Sequence, residues 1–251
     1  MDIGDSQRLR LDKFLANMGR GSRSTVKQWI KSGRVTVNQT VIRDPGRQVD
    51  CRADRVLLEG EAVFYRRYIY LMMNKPAGVI SATEDSRERT VLDLIAPEYR
   101  HRDIFPVGRL DKDTEGLLFL TDHGELGHRL LAPKRHVLKR YFAKIAGTVC
   151  SADRETFQRG IILEDGYRCL PAELEILKAE DGLSEVMVGL VEGKFHQIKR
   201  MFETLDNRVV YLKRLSMGGL QLDERLNPGE YRELTEEEVQ TLEGREADED
   251  V

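Results

Sequence analysis

The chain has 251 residues, 40% of them hydrophobic and 33% charged, with three cysteines and a formal net charge of −3. That length suits one large domain, or a large and a small one, with a core that needs no covalent staple. Cys51, Cys150 and Cys169 are widely spaced with no C-x-x-C pair, which argues against a zinc ribbon or a disulfide framework and fits a reducing compartment. The opening MDIGDSQRLR has no apolar signal-like core, and no apolar run approaches the roughly 18 residues of a bilayer span, so a soluble cytoplasmic protein is expected. The charge is segregated: residues 8–49 hold ten Lys/Arg against two acids, whereas 233–251 hold nine acids against one Arg. A basic head points to a polyanionic partner.

Residues 1–60 form the first expected domain. Leu11, Phe14, Leu15 and Met18 recur at helical spacing, and a second helix is bounded by Ser22 as N-cap and Gly33 as the stop. On it Val26, Trp29 and Ile30 make an apolar arc, beside a ridge of Arg23, Lys27 and Lys31. Short alternating strands follow at RVTVN, TVIRD and RVLLEG, with Arg34 adding to the basic surface. Two basic helices backed by a small sheet suit an RNA backbone, although such a ridge is equally what a plain solvated face looks like. The stretch RLDKFLANMGRGSRSTVKQWIKSGRVTVNQTVIRDPGRQV resembles an S4 RNA-binding domain over nearly its whole length. Gln39 stands where that family usually has glycine, so a looser turn is expected there.

EAVFYRR, residues 61–67, reads as a linker, and a second domain is expected over 68–243. YIYLMM, GLLFLT, YFAKIAG, SEVMVGLV and RVVYLKRL are strand-like runs. TVLDLI, ELGHRLLA, DRETFQRG and FHQIKRMFETL have helical patterns, and a last short helix is expected at 235–243. The fold class is therefore α+β, with a mixed, mostly antiparallel sheet flanked by helices. Residues 244–251 read as an acidic disordered tail.

Between two of these strands lies GRLDKDTEGLLFLTDHG, residues 108–124. From Asp111 it approaches an EF-hand loop, with acids at positions one, three, five and twelve and Gly116 at six. An EF-hand requires flanking helices and oxygen ligands. Pro106 and Gly108 disfavour a helix ending at Asp111, and LLFLT is a strand pattern with Phe119 at a ligand position. A reactive carboxylate on a strand-to-strand turn, tied down by Thr114, is the better reading.

This segment resembles the central motif of the RluA- and RsuA-type pseudouridine synthases, G-R-L-D-x-x-T-x-G-L-L-x-x-T-x-x-G. MMNKPAGVISAT, KRYFAKIAG and EGKFHQIKRM match that family's other motifs in order, and with the S4 module the arrangement is that of the RsuA-like branch. The resemblance implies isomerisation of an RNA uridine, with no metal, nucleotide or redox cofactor. It implies Asp111 as catalytic aspartate, Lys199 as its counter-ion and Tyr141 as the ring stacking on the everted base. Arg109 matches an arginine that fills the vacated space, although a structural ion pair is the equal alternative. Asn74, Lys75 and Gln197 are expected to shape or line the site, with Pro76 and Gly78 holding the turn. His196 is expected beside it without an acid–base role. Lys134, Arg135, Lys139 and Arg140 join the head residues as RNA contacts. Within the branch, GKFHQIKRMFE and LNPGEYRELTEEE are closer to the small-subunit member. The resemblance thus implies uridine 516 of 16S rRNA, in a partly assembled particle, with the enzyme a monomer. A 23S rRNA target is the runner-up, and a non-catalytic S4-type ribosome-assembly protein is the rival from another class.

Overall fold

The computed structural model describes residues 8–99 and 101–244. The expected acidic tail beyond Gly244 lies outside the described residues. The chain divides into two compact units, one taking in residues 1–68 with 96–103, the other 69–95 with 104–251.

In the first unit, chain order runs β1 (Arg8–Arg10), α1 (Leu11–Asn17), α2 (Arg23–Lys31), β2 (Val35–Val37), β3 (Thr40–Ile42), β4 (Gln48–Asp50), β5 (Val56–Leu58) and β6 (Glu61–Val63). α2 starts where the Ser22 hydroxyl accepts the Thr25 amide at 3.2 Å, a cap worth ~1 kcal/mol. One turn apart on its inner face, Val26 and Ile30 pack with Leu11, Phe14 and Leu15 of α1 and with Val35, Val37, Val56, Leu58 and Val63 of the strands. These strands make a four-stranded antiparallel sheet in the order β3-β2-β5-β6. The β2–β3 turn is not loose. Val37 pairs with Thr40, and both intervening residues are left-handed, with φ 49° at Asn38 and 68° at Gln39. A two-residue turn between twisted strands demands that geometry, so Gln39 adopts what a glycine would adopt freely.

The expected linker at 61–67 is corrected at its start. Glu61–Val63 is β6, paired with β5, and Tyr65 packs on the same core. Three residues with a single inward valine are too short to show alternation. The catalytic block expected at 68–243 is interrupted as well, because 96–103 belongs with the first unit. There the Arg102 guanidinium donates to the carbonyls of Asn17 at 3.0 Å and Arg67 at 2.7 Å.

The second unit contains β7 (Tyr70–Lys75), β8 (Phe105–Pro106), β9 (Glu115–Thr121), α3 (Gly124–Leu131), β10 (Lys139–Ala146), α4 (Ser151–Arg159), β11 (Glu173–Glu180), β12 (Leu183–Leu190), α5 (Gln197–Glu203), β13 (Arg208–Met217), β14 (Leu220–Gln221), β15 (Tyr231–Glu233) and α6 (Glu236–Glu243). Its sheet runs β11-β12-β10-β13-β9-β7-β15, with β14 on β13 and β8 on β9. The β9–β13 pair is parallel and the others are antiparallel. The protein is therefore α+β, with a mixed, mostly antiparallel sheet. TVLDLI does not form an α-helix. It is one 3-10 turn, Val91–Leu94, capped by Asp93, which accepts the Thr90 amide at 2.8 Å. Pro97 follows too closely for a full helix, since the residue before a proline is steered out of the α region.

One cross-strand row positions the site. Tyr141 of β10 faces Arg214 of β13, Arg214 faces Gly116 of β9, and Gly116 faces Lys75 of β7. Gly116 is required there: it has φ 100°, and a Cβ would lie 2.2 Å from the Arg214 carbonyl oxygen. Gly116→Ala must strain the turn or part β9 from β13, at a cost of about 2–4 kcal/mol. Its urea midpoint should fall by roughly 1 M or more; an unchanged midpoint would show that the close approach is not needed.

Candidate active site

Asp111 sits on the turn that feeds β9. The stretch is strand–turn–strand, so the near-match to a calcium loop lacks the helices that loop needs. Among the described residues, no group of three or more His, Cys, Asp or Glu side chains is placed to hold a metal.

The turn is held almost entirely through its main chain. The Thr114 amide donates to the Asp111 carbonyl at 3.0 Å, and the Gly78 amide to the Lys112 carbonyl at 2.7 Å. The Ser81 hydroxyl accepts the Leu110 amide and donates to the Leu110 carbonyl, each at 3.0 Å. Thr114 thus closes the turn with its amide, while its buried hydroxyl has no partner among the described residues. Beneath lies Lys75, fully buried, donating to the carbonyls of Pro76 at 3.0 Å, Asp111 at 3.1 Å and Thr114 at 2.9 Å. Burial pulls its pKa down to about 8, against the opposing pull of the Asp113, Asp111 and Glu115 charges. The lysine expected to line the site is instead a buried ammonium plug under it. Lys75→Met removes the ammonium that bonds the Pro76 and Thr114 carbonyls, while the Asp111 carbonyl keeps the Thr114 amide; the expected loss is about 3 kcal/mol or more. The expected melting temperature is roughly 6–12 °C lower, and a variant that melts within about 2 °C of the parent would contradict the plug.

Because main-chain atoms carry the turn, the Asp111 carboxylate is left for other contacts. Lys199, from the first turn of α5, approaches one oxygen at 3.2 Å, and the His196 ring approaches the other at 3.6 Å. The expected Asp111–Lys199 pair is present, with the Asp111 side chain 29% exposed and that of Lys199 18%. Lys199 also donates to Asp113 at 2.6 Å. Burial works against the Lys199 charge, yet the Asp113 hydrogen bond and the Asp111 charge outweigh it and hold the lysine above its ordinary pKa. Asp113 is itself partly desolvated, but the same lysine lowers it below the usual carboxylate range. The sequence reading passed over Asp113, although its spacing in D-K-D put a second acid one turn residue away.

Tyr141 is buried, on the same sheet face as its cross-strand neighbour Arg214. Arg214 is a second functional candidate that the sequence reading missed, since nothing in KRLSM marks one arginine for burial. It is 2% exposed, donates to the Leu117 carbonyl at 2.8 Å, and has one terminal nitrogen without a partner among the described residues. Lys139, two residues before Tyr141, is half-buried; burial and the Arg214 charge pull it down to about 8. The face beside Tyr141 is thus cationic.

Asn74 and Gln197, expected to shape or line the site, are both buried. Asn74 is buried, and its amide nitrogen donates to the Leu226 carbonyl at 2.8 Å, tying β7 to the loop before β15. Gln197 is buried with both amide ends committed: it accepts the Lys194 amide at 2.9 Å and donates to Glu192 at 2.6 Å. Both ends of the Gln197 amide are thus spent internally, whereas the buried Asn74 Oδ1 has no partner among the described residues. Arg109 is exposed, and no ion pair involving it is present among the described residues.

Of the expected RNA contacts, Arg23, Lys27, Lys31, Lys134 and Arg135 are exposed. Lys27 lies 3.9 Å from Asp12. Arg34 is turned onto Glu59, through its Nε at 2.7 Å, and over the Trp29 ring. Arg140 pairs with Glu173 at 2.9 Å. These last two are partly neutralised by their partners.

The family described as RNA pseudouridylate synthase matches residues 69–204, and the S4 domain matches residues 9–56. A Bacillus subtilis (strain 168) protein named Uncharacterized RNA pseudouridine synthase YtzG is 50% identical over 234 residues, covering 93% of this chain and 98% of that one. A Vibrio cholerae protein named Ribosomal small subunit pseudouridine synthase A is 40% identical over 239 residues, covering 93% and 99%. A solved structure described as "Crystal structure of pseudouridylate synthase" superposes with a TM-score of 0.65 at 34% identity, covering 93% of this chain and 99% of that one.

Proposed function

The chain belongs to the RNA pseudouridylate synthase family, and from that premise we propose that it isomerises one uridine of 16S ribosomal RNA, with Asp111 as the catalytic carboxylate. The observation carrying the site assignment is the Asp111–Lys199 contact of 3.2 Å on a turn anchored by main-chain bonds. A carboxylate so placed is rigid in backbone, paired with a cation and still partly open to a substrate.

In the reaction the N1–C1′ bond breaks, the base turns, and a C5–C1′ bond forms. The C5 hydrogen leaves to solvent as a proton and N1 gains one, so no electrons are exchanged. A stacked uridine cannot present these atoms, and turning it out costs a few kcal/mol. Tyr141 supplies the face on which the everted pyrimidine rests, and exposed Arg109 fills the space it leaves. Lys199 pairs with the carboxylate beside the base. Arg23, Lys27 and Lys31 in the S4 unit, with Lys134 and Arg135, hold the phosphates, which position the RNA without specifying a base.

The small-subunit target is supported by GKFHQIKRMFE and by the Vibrio cholerae relative's name. The proposed nucleotide is uridine 516, reached in a partly assembled particle in the cytoplasm by a monomer. Mapping pseudouridines in ribosomal RNA from cells with and without the gene tests this. Loss of one 16S pseudouridine is expected. Loss of a 23S pseudouridine instead moves the target to the large subunit, and no change in either RNA removes the assignment.

A further inference from the structure

Phe195 is 75% exposed, an unusual state for an aromatic side chain one residue from a carboxylate-contacting histidine. Its ring lies 3.8 Å from the His196 ring, at an interplanar angle of 18°. His196 in turn sits 3.6 Å from Asp111. The pair is held by a special backbone: His196 has φ 50°, a left-handed conformation uncommon for a non-glycine residue. The chain enters α5 there, with the Arg200 amide bonded to the His196 carbonyl at 3.0 Å. One face of the Phe195 ring is therefore covered by imidazole while the residue stays open to solvent. Lys194 precedes it, and Lys199 lies one helical turn on.

We propose that Phe195 is a stacking platform for a nucleobase next to the target uridine in the RNA strand. Every base offers a π-face, so an aromatic ring grips a neighbouring nucleotide whatever its identity, while the exposed Lys194 beside it suits its phosphate. The imidazole behind the ring fixes its plane, so little side-chain freedom is lost on binding. The platform extends RNA recognition from the reacting nucleotide to its neighbour, and it rests on the reading of this site as a uridine isomerase.

The test uses full-length protein, a 16S rRNA transcript and a short single-stranded oligoadenylate. Phe195→Ala should raise the half-saturating transcript concentration about tenfold, with the saturated rate within about threefold of the parent. Phe195→Tyr should restore it, which a merely structural role would not require. Phe64→Ala, at a phenylalanine equally exposed in the other unit, should leave it unchanged. In a second arm, Phe195→Trp in a Trp29→Phe background should lose fluorescence on adding either RNA. An unchanged half-saturation in Phe195→Ala together with unquenched emission overturns the proposal. Absence of pseudouridine with the parent protein, alongside quenching, would instead strike the isomerase reading and leave the platform standing.

Discussion

Asp111→Asn should abolish isomerisation while leaving the fold and RNA affinity nearly untouched. Every bond that shapes the turn uses main-chain atoms of Leu110, Asp111, Lys112 and Thr114, and an asparagine keeps all of them. The substitution removes only the negative charge and an oxygen. Loss of a group that bonds to or deprotonates the substrate costs on the order of 10⁴-fold or more in rate, whereas phosphate contacts elsewhere set affinity. Release of the C5 hydrogen as tritium from uridine-labelled RNA measures the first quantity, and filter binding the second. Affinity should stay within about threefold, ~0.6 kcal/mol. A variant that keeps a tenth of the parental rate would place the chemistry on another residue.

Lys199→Met should come next in severity. It leaves Asp111 and Asp113 beside each other with their shared ammonium gone, and an unpaired, partly desolvated carboxylate pays both the lost attraction and the added repulsion. A loss of roughly 3–4 kcal/mol in transition-state stabilisation, about 10²–10³-fold in kcat, is expected. Lys199→Arg should recover much of it, because a guanidinium can span both acids. Were Lys199 only an RNA-phosphate contact, Lys199→Met would raise KM and spare kcat, and saturating RNA would restore the rate.

Apolar, β-prone runs of strand length made β7, β9, β10, β12 and β13 legible, because a strand in mid-sheet is buried along much of its length. β11 was not legible: Glu173–Glu180 is an edge strand whose Glu, Lys and Glu side chains face water, so it reads as a polar loop. Asp111 and Lys199 could be paired before any coordinates because the resemblance to the family's motifs implies it. The role of Lys75 could not. A lysine in NKPAG announces a surface or a ligand, and only the fold shows four carbonyls converging on its buried ammonium. How Asn74 and Gln197 shape the site was equally hidden: only the fold shows the Asn74 amide nitrogen tied to the loop before β15 and both ends of Gln197 committed within its own loop. Arg214 shows the limit most clearly, since β13 carries two arginines and only the fold shows that Arg214 falls on the buried face with Leu212 and Ser216 while Arg208 is exposed.

The central claim is that this carboxylate, held by Lys199, remakes a uridine's glycosidic bond at C5. The most direct measurement is tritium release by purified protein from partly assembled small subunits carrying uridine labelled at C5. The account predicts release of about one tritium per 16S rRNA by the parent protein and none by Asp111→Asn. Tight binding of the same particles with no release by the parent protein would contradict it.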